Sequence, residues 1–500
     1  MFNRQQILQL LAKYKWWLPP LSAVLLILAV PPFSFNYLAL VGWVPMFLFT
    51  YLERGVGNVV LGWFFSVLLN VGYITVAVFS GFQWIEDANL FLMFVQVSAC
   101  LAVVAVVSVF VIYALILAKL KSVFLGRLEV PFLLCAFLGV VVIESLFSYL
   151  YGGFNYGALF FAVGGVDYLR SLVSFGGSGA ISVTVVLINI FIFLVLLKIF
   201  ACPMWPRFRW YFLLFVVFVV GIFLFQFKVT EQLSNFKYID TRVAIIQNQD
   251  RQDDVAFGQV QEGSFTFPKL ETLIEEAEKE NPDIIVYPFA PWNGVISETL
   301  DNSRFDREVI TMTYDIFSDW LMQNISPEAV FVAWYTSYED GNYYNQIGYW
   351  HDGELIHVYT KEKLFPFFDY VPTWALDLGI VSLPFDGTAG TENTAFNHGD
   401  LHIGSLVCSE VGDEGATNKS AEGNNIIFSL GSETMFNHEI PGEYNVLRAQ
   451  LSATKHQVPV IRANRFGPSA VFDSGGHLLD KIDFGVEGVM VVDVPVPRGI

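Results

Sequence analysis

Up to residue 228 the chain alternates long apolar runs with short polar breaks, and beyond it the hydrophobic period changes. Runs at about 16–32, 37–51, 58–81, 90–118, 130–150, 179–200 and 210–228 are candidates to cross the bilayer, since a helix needs ~17–25 apolar residues to span a ~30 Å hydrocarbon core. The first two are short and meet near Pro31–Pro32, which points to a tightly turned hairpin. Residues 151–178 are rich in Gly and aromatics with few charges. They read either as a simple outer loop or as a re-entrant stretch forming part of a lipid-facing entrance, because irregular backbone at membrane depth needs shelter from protein or a cavity.

After Phe227 the apolar runs become short, β-branched or aromatic, and bounded by turn residues: Val243–Gln247, Ile284–Tyr287, Phe331–Tyr335, Leu401–Cys408, Asn425–Ser429 and Val458–Ala463. Helical patterns at Pro268–Glu280 and Glu443–Lys455 lie among them. Buried strands mixed with helices predict a layered α/β or α+β domain over 229–500, behind a membrane domain over 1–228. No period of roughly 20–50 residues repeats, which excludes solenoids and propellers.

Composition sharpens this division. The 500 residues are 54% hydrophobic and 15% charged, whereas an ordinary soluble domain is about 25% charged. Through residue 228, 12 Lys and Arg stand against 6 Asp and Glu; after it, 16 stand against 41. The acidic half has no basic stripe to meet phosphates, so nucleic acid is excluded as a partner. Arg4, Lys13 and Lys15 precede the first run, Arg54 follows the second, Lys119, Lys121 and Arg127 follow the fourth, and Lys198, Arg207 and Arg209 follow the sixth. Positive loops stay cytoplasmic. Glu86 and Asp87 lie in an odd loop, and Arg170 is the single exception to the pattern. Seven crossings from an inside N-terminus put residue 229 onward outside the cytoplasm. No small-residue cleavage site follows the first run, so it is expected to remain as a span.

Cys100 and Cys135 fall in runs and Cys202 in a cytoplasmic loop, leaving Cys408 alone in the outer domain with no disulfide partner there. Two readings are open for it. It is a small buried hydrophobe, or a nucleophile set where a strand ends in a tight turn. His351, His357, His402, His438 and His456 lack metal-ligand spacing, and neither metal nor cofactor is expected. Gly152–Gly153 and Gly176–Gly177 follow no strand and read as packing or turn glycines rather than a phosphate loop. Glu271–Glu280 reads as a solvated helix face.

Three segments, in order, resemble the nitrilase or carbon–nitrogen hydrolase superfamily. Tyr359-Thr-Lys-Glu-Lys-Leu-Phe-Pro-Phe-Phe-Asp-Tyr-Val-Pro372 is similar to Y-x-K-x-x-L-V-P-F-G-E-Y-V-P, Leu406-Val-Cys-Ser-Glu410 to I-C-Y-E, and Pro459-Val-Ile-Arg-Ala-Asn-Arg-Phe-Gly467 with Ser469 to Asp473 and Gly475–Gly476 to P-x-I-R-x-x-N-x-G-x-S-x-x-x-D-x-x-G. Tyr344–Asn345 and Gly152–Tyr156 fit more loosely. With seven runs in front, the chain most resembles the bacterial apolipoprotein N-acyltransferases. That resemblance implies an αββα nitrilase-like domain on a multi-span helical domain in the bacterial inner membrane, acting as a monomer without a cofactor. It implies a phospholipid acyl donor, a lipoprotein acceptor amine, Cys408 as nucleophile and Lys361 as its cationic partner.

The departures concern proton transfer. Where the family carries the Glu of its P-E pair, this chain has Phe289 after Tyr287-Pro288. Ser409 stands for the Tyr after the nucleophile, Phe368 for a loop Gly, and Gly431-Ser-Glu-Thr-Met-Phe436 for S-N-D-x-W-F. Asp369, Glu410, Glu433 and Glu298 are the nearby carboxylates that could support or replace the missing base. A degenerate member that binds phospholipid or lipoprotein without turnover is the rival reading, and a soluble-substrate amidase is disfavoured by the apolar half. The resembled proteins carry a further span after the outer domain, where this sequence reaches Ile500 in the expected last strand. A reporter active only in the cytoplasm, fused at Asp240, is expected to be silent, and strong activity there would reverse the topology.

Overall fold

The computed structural model describes residues 4–53, 55–79, 159–200, 208–249, 259–261, 264–266, 268–288, 294–297, 310–366, 369–371, 373, 377, 387–391, 395–434, 436 and 438–498. The expected spans 90–118 and 130–150, the start of the 151–178 stretch, Cys100, Cys135, Cys202, Phe289, Glu298 and Phe368 lie outside the described residues. Two compact units divide the chain between Glu231 and Gln232.

In the first unit, the described residues hold two helices long and apolar enough to cross a membrane, within Val173–Phe200 and at Phe208–Ser234. The first two runs fold as shorter apolar helices, Leu18–Ala29 and Ala39–Gly42 followed by Val44–Leu52. Pro31–Pro32 ends the first, and the chain turns back so that Lys15 and Glu53 meet at 2.7 Å. The break between Gly42 and Val44 frees backbone groups that water cannot reach. Buried Asn189 satisfies them, donating to the Ala39 carbonyl at 2.8 Å and accepting from the Trp43 N–H at 2.9 Å. Helix Val56–Phe79 covers the third run. Within 159–177, helix Leu159–Val163 is buried, short helix Asp167–Arg170 follows it, and the next helix is broken at Gly176 and Gly177, where Phe175 is exposed. Arg170, 2% exposed, pairs with Asp167 at 2.8 Å.

The second unit contains strands β1 (Tyr238–Gln247), β2 (Gln259–Gln261), β3 (Ser264–Thr266), β4 (Ile284–Tyr287), β5 (Gly294–Ser297), β6 (Ile310–Met312), β7 (Val330–Glu339), β8 (Asn342–His351), β9 (Glu354–Thr360), β10 (Phe396–His398), β11 (Leu401–Val407), β12 (Ile426–Ser432), β13 (Val460–Arg465), β14 (Ser469–Phe472), β15 (Leu478–Ile482) and β16 (Gly488–Pro497). One sheet runs β16-β1-β4-β7-β5-β6, with β8 added to β7 and β9 to β8; the other runs β10-β11-β12-β13-β14-β15. Parallel strands at the centre of each are apolar on both faces, as burial on both sides requires.

Alternation along these strands builds four layers. Val243, Ile245, Val286 and Val332 of the first sheet meet Val407, Phe428, Leu430 and Ile461 of the second in one core. The intervening residues Ala244, Ile285 and Phe331 turn outward to meet helices Pro268–Glu278 and Tyr314–Asn324 through Ile274 and Phe317. On the far side, Leu406, Ile427 and Val460 meet helices Glu414–Ala421 and Ile440–His456. Each such side chain removed from water contributes about 1.5–3 kcal/mol, so the sandwich is the framework on which everything polar is mounted. The expected αββα arrangement of the second domain is thus observed.

Helix Ile440–His456 ends on a histidine whose burial, with Lys455 beside it and Glu414 opposing, pushes the imidazole down to about 4. The unfolded value is about 6.5, so the neutral ring is favoured by folding. Its contribution is complete above pH about 6.5 and is lost as pH falls toward 4. The melting temperature of the second domain is expected to fall through that window, and His456→Gln should flatten the decline; an unchanged slope would remove His456 from the account.

Candidate active site

Strand β11 delivers Cys408 at its end. Val407 is extended at φ −102°, and Cys408 turns into the left-handed region at φ +53° to open the short helical turn Cys408–Gly412. A non-glycine residue there costs of order 1–3 kcal/mol and persists only where its surroundings impose it. Half-buried Cys408 packs against the core between the sheets.

The imposing group is Glu410, 0% exposed. Its Oε2 accepts from the Val407 N–H at 2.8 Å and the Tyr359 hydroxyl at 2.9 Å. Its Oε1 accepts from the N–H groups of Glu362 and Lys363, each at 2.9 Å. Burial pushes this carboxyl above the ordinary glutamate value, with Lys361 and the backbone donors pulling the other way. With both oxygens occupied, Glu410 suits an anchor joining the Cys408 turn to the Lys361 turn, and not a proton carrier.

Lys361 follows β9 and is 1% exposed. Its Nζ meets Asp369 Oδ2 at 2.5 Å, and Asp369 also accepts from the Phe365 N–H at 2.6 Å and Asn345 Nδ2 at 3.0 Å. Burial opposes the ammonium, but Asp369, Cys408 and Glu410 outweigh it and hold Lys361 above the ordinary lysine value. Lys361 therefore stays an ammonium whose charge acts on Cys408.

Glu433 stands just beyond β12, where Oε1 accepts from Arg462 Nη2 at 2.8 Å and Asn445 Nδ2 at 2.7 Å. Asn445 in turn accepts from Arg448 at 2.7 Å. Burial raises the Cys408 thiol above its ordinary value; Lys361 and Arg462 pull it down, while Glu433 and Asp369 push it up. The resting sulfur is a thiol. The structure thus gathers Cys408, Lys361, Asp369, Glu410 and Glu433 at one end of the sandwich, Lys361 and Asp369 following the first sheet's strands and the others the second's. Phe289 and Glu298 are outside the described residues.

Sequence reading passed over the supporting roles of Tyr359, Arg462, Asn445 and Asn345. Arg462 had a usable signal, because an arginine inside the apolar run Val458–Ala463 must find a buried anion. Asn445 had none, since it lies on a helix face whose neighbours only the fold supplies.

A family profile described as carbon–nitrogen hydrolase matches residues 242–499. Among curated proteins, the apolipoprotein N-acyltransferase of Allorhizobium ampelinum is 26% identical over 235 residues, covering 44% of this chain and 42% of that protein. The apolipoprotein N-acyltransferase of Agrobacterium fabrum is 28% identical over 234 residues, with coverage of 44% and 42%. The matched stretch thus spans less than half the length of these relatives. Among solved structures, a glutamine-dependent NAD+ synthetase from Acinetobacter baumannii aligns at a TM-score of 0.38 and 14% identity, covering 52% of this chain and 48% of that one.

Glu410→Gln would aim an amide NH2 at donors that now meet a carboxylate oxygen. A buried hydrogen bond to a charged group contributes about 1.5–3 kcal/mol, so this variant is expected to melt several degrees lower and to expose Cys408 to maleimide. A variant with wild-type melting and labelling would show that the four hydrogen bonds do not hold the turn.

Proposed function

This chain belongs to the carbon–nitrogen hydrolase family, and we propose that it is an inner-membrane acyltransferase that moves a fatty acyl chain from phospholipid to the N-terminal amine of a diacylglyceryl-cysteine lipoprotein. The observation that carries this reading is a left-handed Cys408 turn joined through Glu410 to the turn that bears the buried Lys361–Asp369 pair, in a domain whose first strand begins at Tyr238, just after the apolar helix Phe208–Ser234. A hydrolase of soluble substrates has no need of that helix. The similarity to apolipoprotein N-acyltransferases adds the donor and acceptor classes.

The chemistry runs in two halves. Cys408 Sγ loses its proton and attacks the ester carbonyl of the donor; the oxyanion is met by the Lys361 ammonium, whose charge is already fixed by Asp369. Collapse breaks the C–O bond, and the departing alcohol takes a proton, leaving a lysophospholipid and a thioester on Cys408. The acceptor amine then attacks the thioester, gives up a proton and expels the sulfur.

A second reading, binding without turnover, is favoured by Phe289 in place of the family's Glu, since general acid–base assistance supplies ~10²–10⁴-fold. One experiment separates the two. Incubation with phospholipid labelled in its acyl chains is expected to place hydroxylamine-sensitive label on Cys408 and none on Cys408→Ser. Folded protein that stays unlabelled, beside an authentic family acyltransferase that labels, would establish the binding reading.

A further inference from the structure

We propose that Glu433 carries the proton in both halves of the acyl transfer, in the role left open by Phe289, a proposal that rests on the acyl-transfer reading above. Among the described residues, Glu410, Asp369 and Glu433 are the carboxylates whose charges or hydrogen bonds reach the Cys408 turn, and their hydrogen bonds divide them. Glu410 has both oxygens taken, by the Tyr359 hydroxyl and three backbone N–H groups. Asp369 has both taken as well, Oδ2 by Lys361 and the Phe365 N–H and Oδ1 by Asn345. Glu433 differs. Both Arg462 and Asn445 donate to its Oε1, and among the described residues Oε2 receives no hydrogen bond.

Its position is equally specific. Strands β11 and β12 are parallel neighbours with Val407 opposite Leu430, so the end of β12 passes beside the Cys408 turn. The N–H of Glu433 is held by the Arg465 carbonyl at 3.0 Å, and Arg462 and Asn445 orient the carboxylate from the other side. Its charge acts on Cys408, together with those of Lys361, Asp369 and Arg462. A carboxylate tethered through one oxygen keeps the second for a mobile proton.

The balance is as follows in each half. Oε2 takes the Sγ proton as the C–S bond forms and gives it to the alkoxide as the C–O bond breaks. It then takes a proton from the attacking amine as the C–N bond forms and returns it to the sulfur as the C–S bond breaks. Glu433 ends ionised and Cys408 ends as a thiol, with no other reactant consumed.

The test compares wild type, Glu433→Gln and Glu433→Asp in the full chain, following acylation of Cys408 by mass spectrometry between pH 6 and pH 10. Two donors are used, p-nitrophenyl butyrate and an acyl-labelled phospholipid. Glu433→Gln keeps an oxygen for Arg462 and Asn445, so the fold should hold. With p-nitrophenyl butyrate it is expected to acylate about 100-fold more slowly at pH 7. It should gain about tenfold per pH unit and approach wild type where hydroxide makes the thiolate, while Glu433→Asp recovers most of the neutral rate. A uniform loss at every pH would mean a structural role and overturn the proposal, as would wild-type acylation in Glu433→Gln. If the nitrophenyl pattern holds but phospholipid never acylates wild type, Glu433 stands and the acyl-donor reading falls. If phospholipid acylates wild type and Glu433→Gln equally, the reverse is true. Failure of both donors on wild type overturns both.

Discussion

A single buried carboxylate ties the two sheets together at the nucleophile. Leaving a charge such as that of Glu410 unpaired inside a protein costs several kcal/mol, and here four donors offset that cost. They come from Tyr359 in β9, the turn that carries Lys361, and the end of β11. The hydrogen bonds that make the buried charge tolerable therefore also hold the left-handed turn at Cys408 and set its distance from the lysine. Nearby contacts serve the same end. Lys419 reaches Glu362 at 2.6 Å, fastening helix Glu414–Ala421 to the Lys361 turn. That helix crosses β11 where Gly404 leaves room, since a Cβ there would collide with the Ser420 carbonyl.

Around the sulfur the charges are arranged in opposed pairs, Lys361 with Asp369 and Arg462 with Glu433. Each pair nearly cancels at a distance and acts strongly at close range, where burial weakens screening. The consequence is a thiol that stays protonated at rest beside a permanent cation.

The helical first unit solves a different problem with the same logic. Its helices Ala39–Gly42 and Val44–Leu52 are interrupted, and a side chain amide of Asn189 meets the freed backbone groups. Ser22 donates to the Gly42 carbonyl and Trp63 to Thr50 Oγ1. Polar side chains in this unit repair breaks in the backbone ladder; in the second domain they tie the Cys408 and Lys361 turns together.

Hydrophobic spacing alone determined the two-part plan and most central strands. Ile284–Tyr287 was read with its observed bounds, and Leu401–Cys408 differed from β11 by one residue. These segments are apolar on both faces, and their burial is a local property of composition. Short runs near Pro31–Pro32 were legible as a hairpin, while the length of their helices was not, because Gly42 and Pro45 break them only in combination with what packs around them. The antiparallel additions β8 and β9 went unread, since aromatic and polar residues alternate there without a clean apolar face. Motifs named Cys408 and Lys361, and Asp369, Glu410 and Glu433 as carboxylates near them. Only the tertiary structure divided those three acids into an ammonium partner, a fully bonded anchor and a carboxylate held by one oxygen. Sequence carries the identity of each acid; which donors reach it depends on strands brought together from β9, β11, β12 and β13, and hydrogen bonds are decided at that contact.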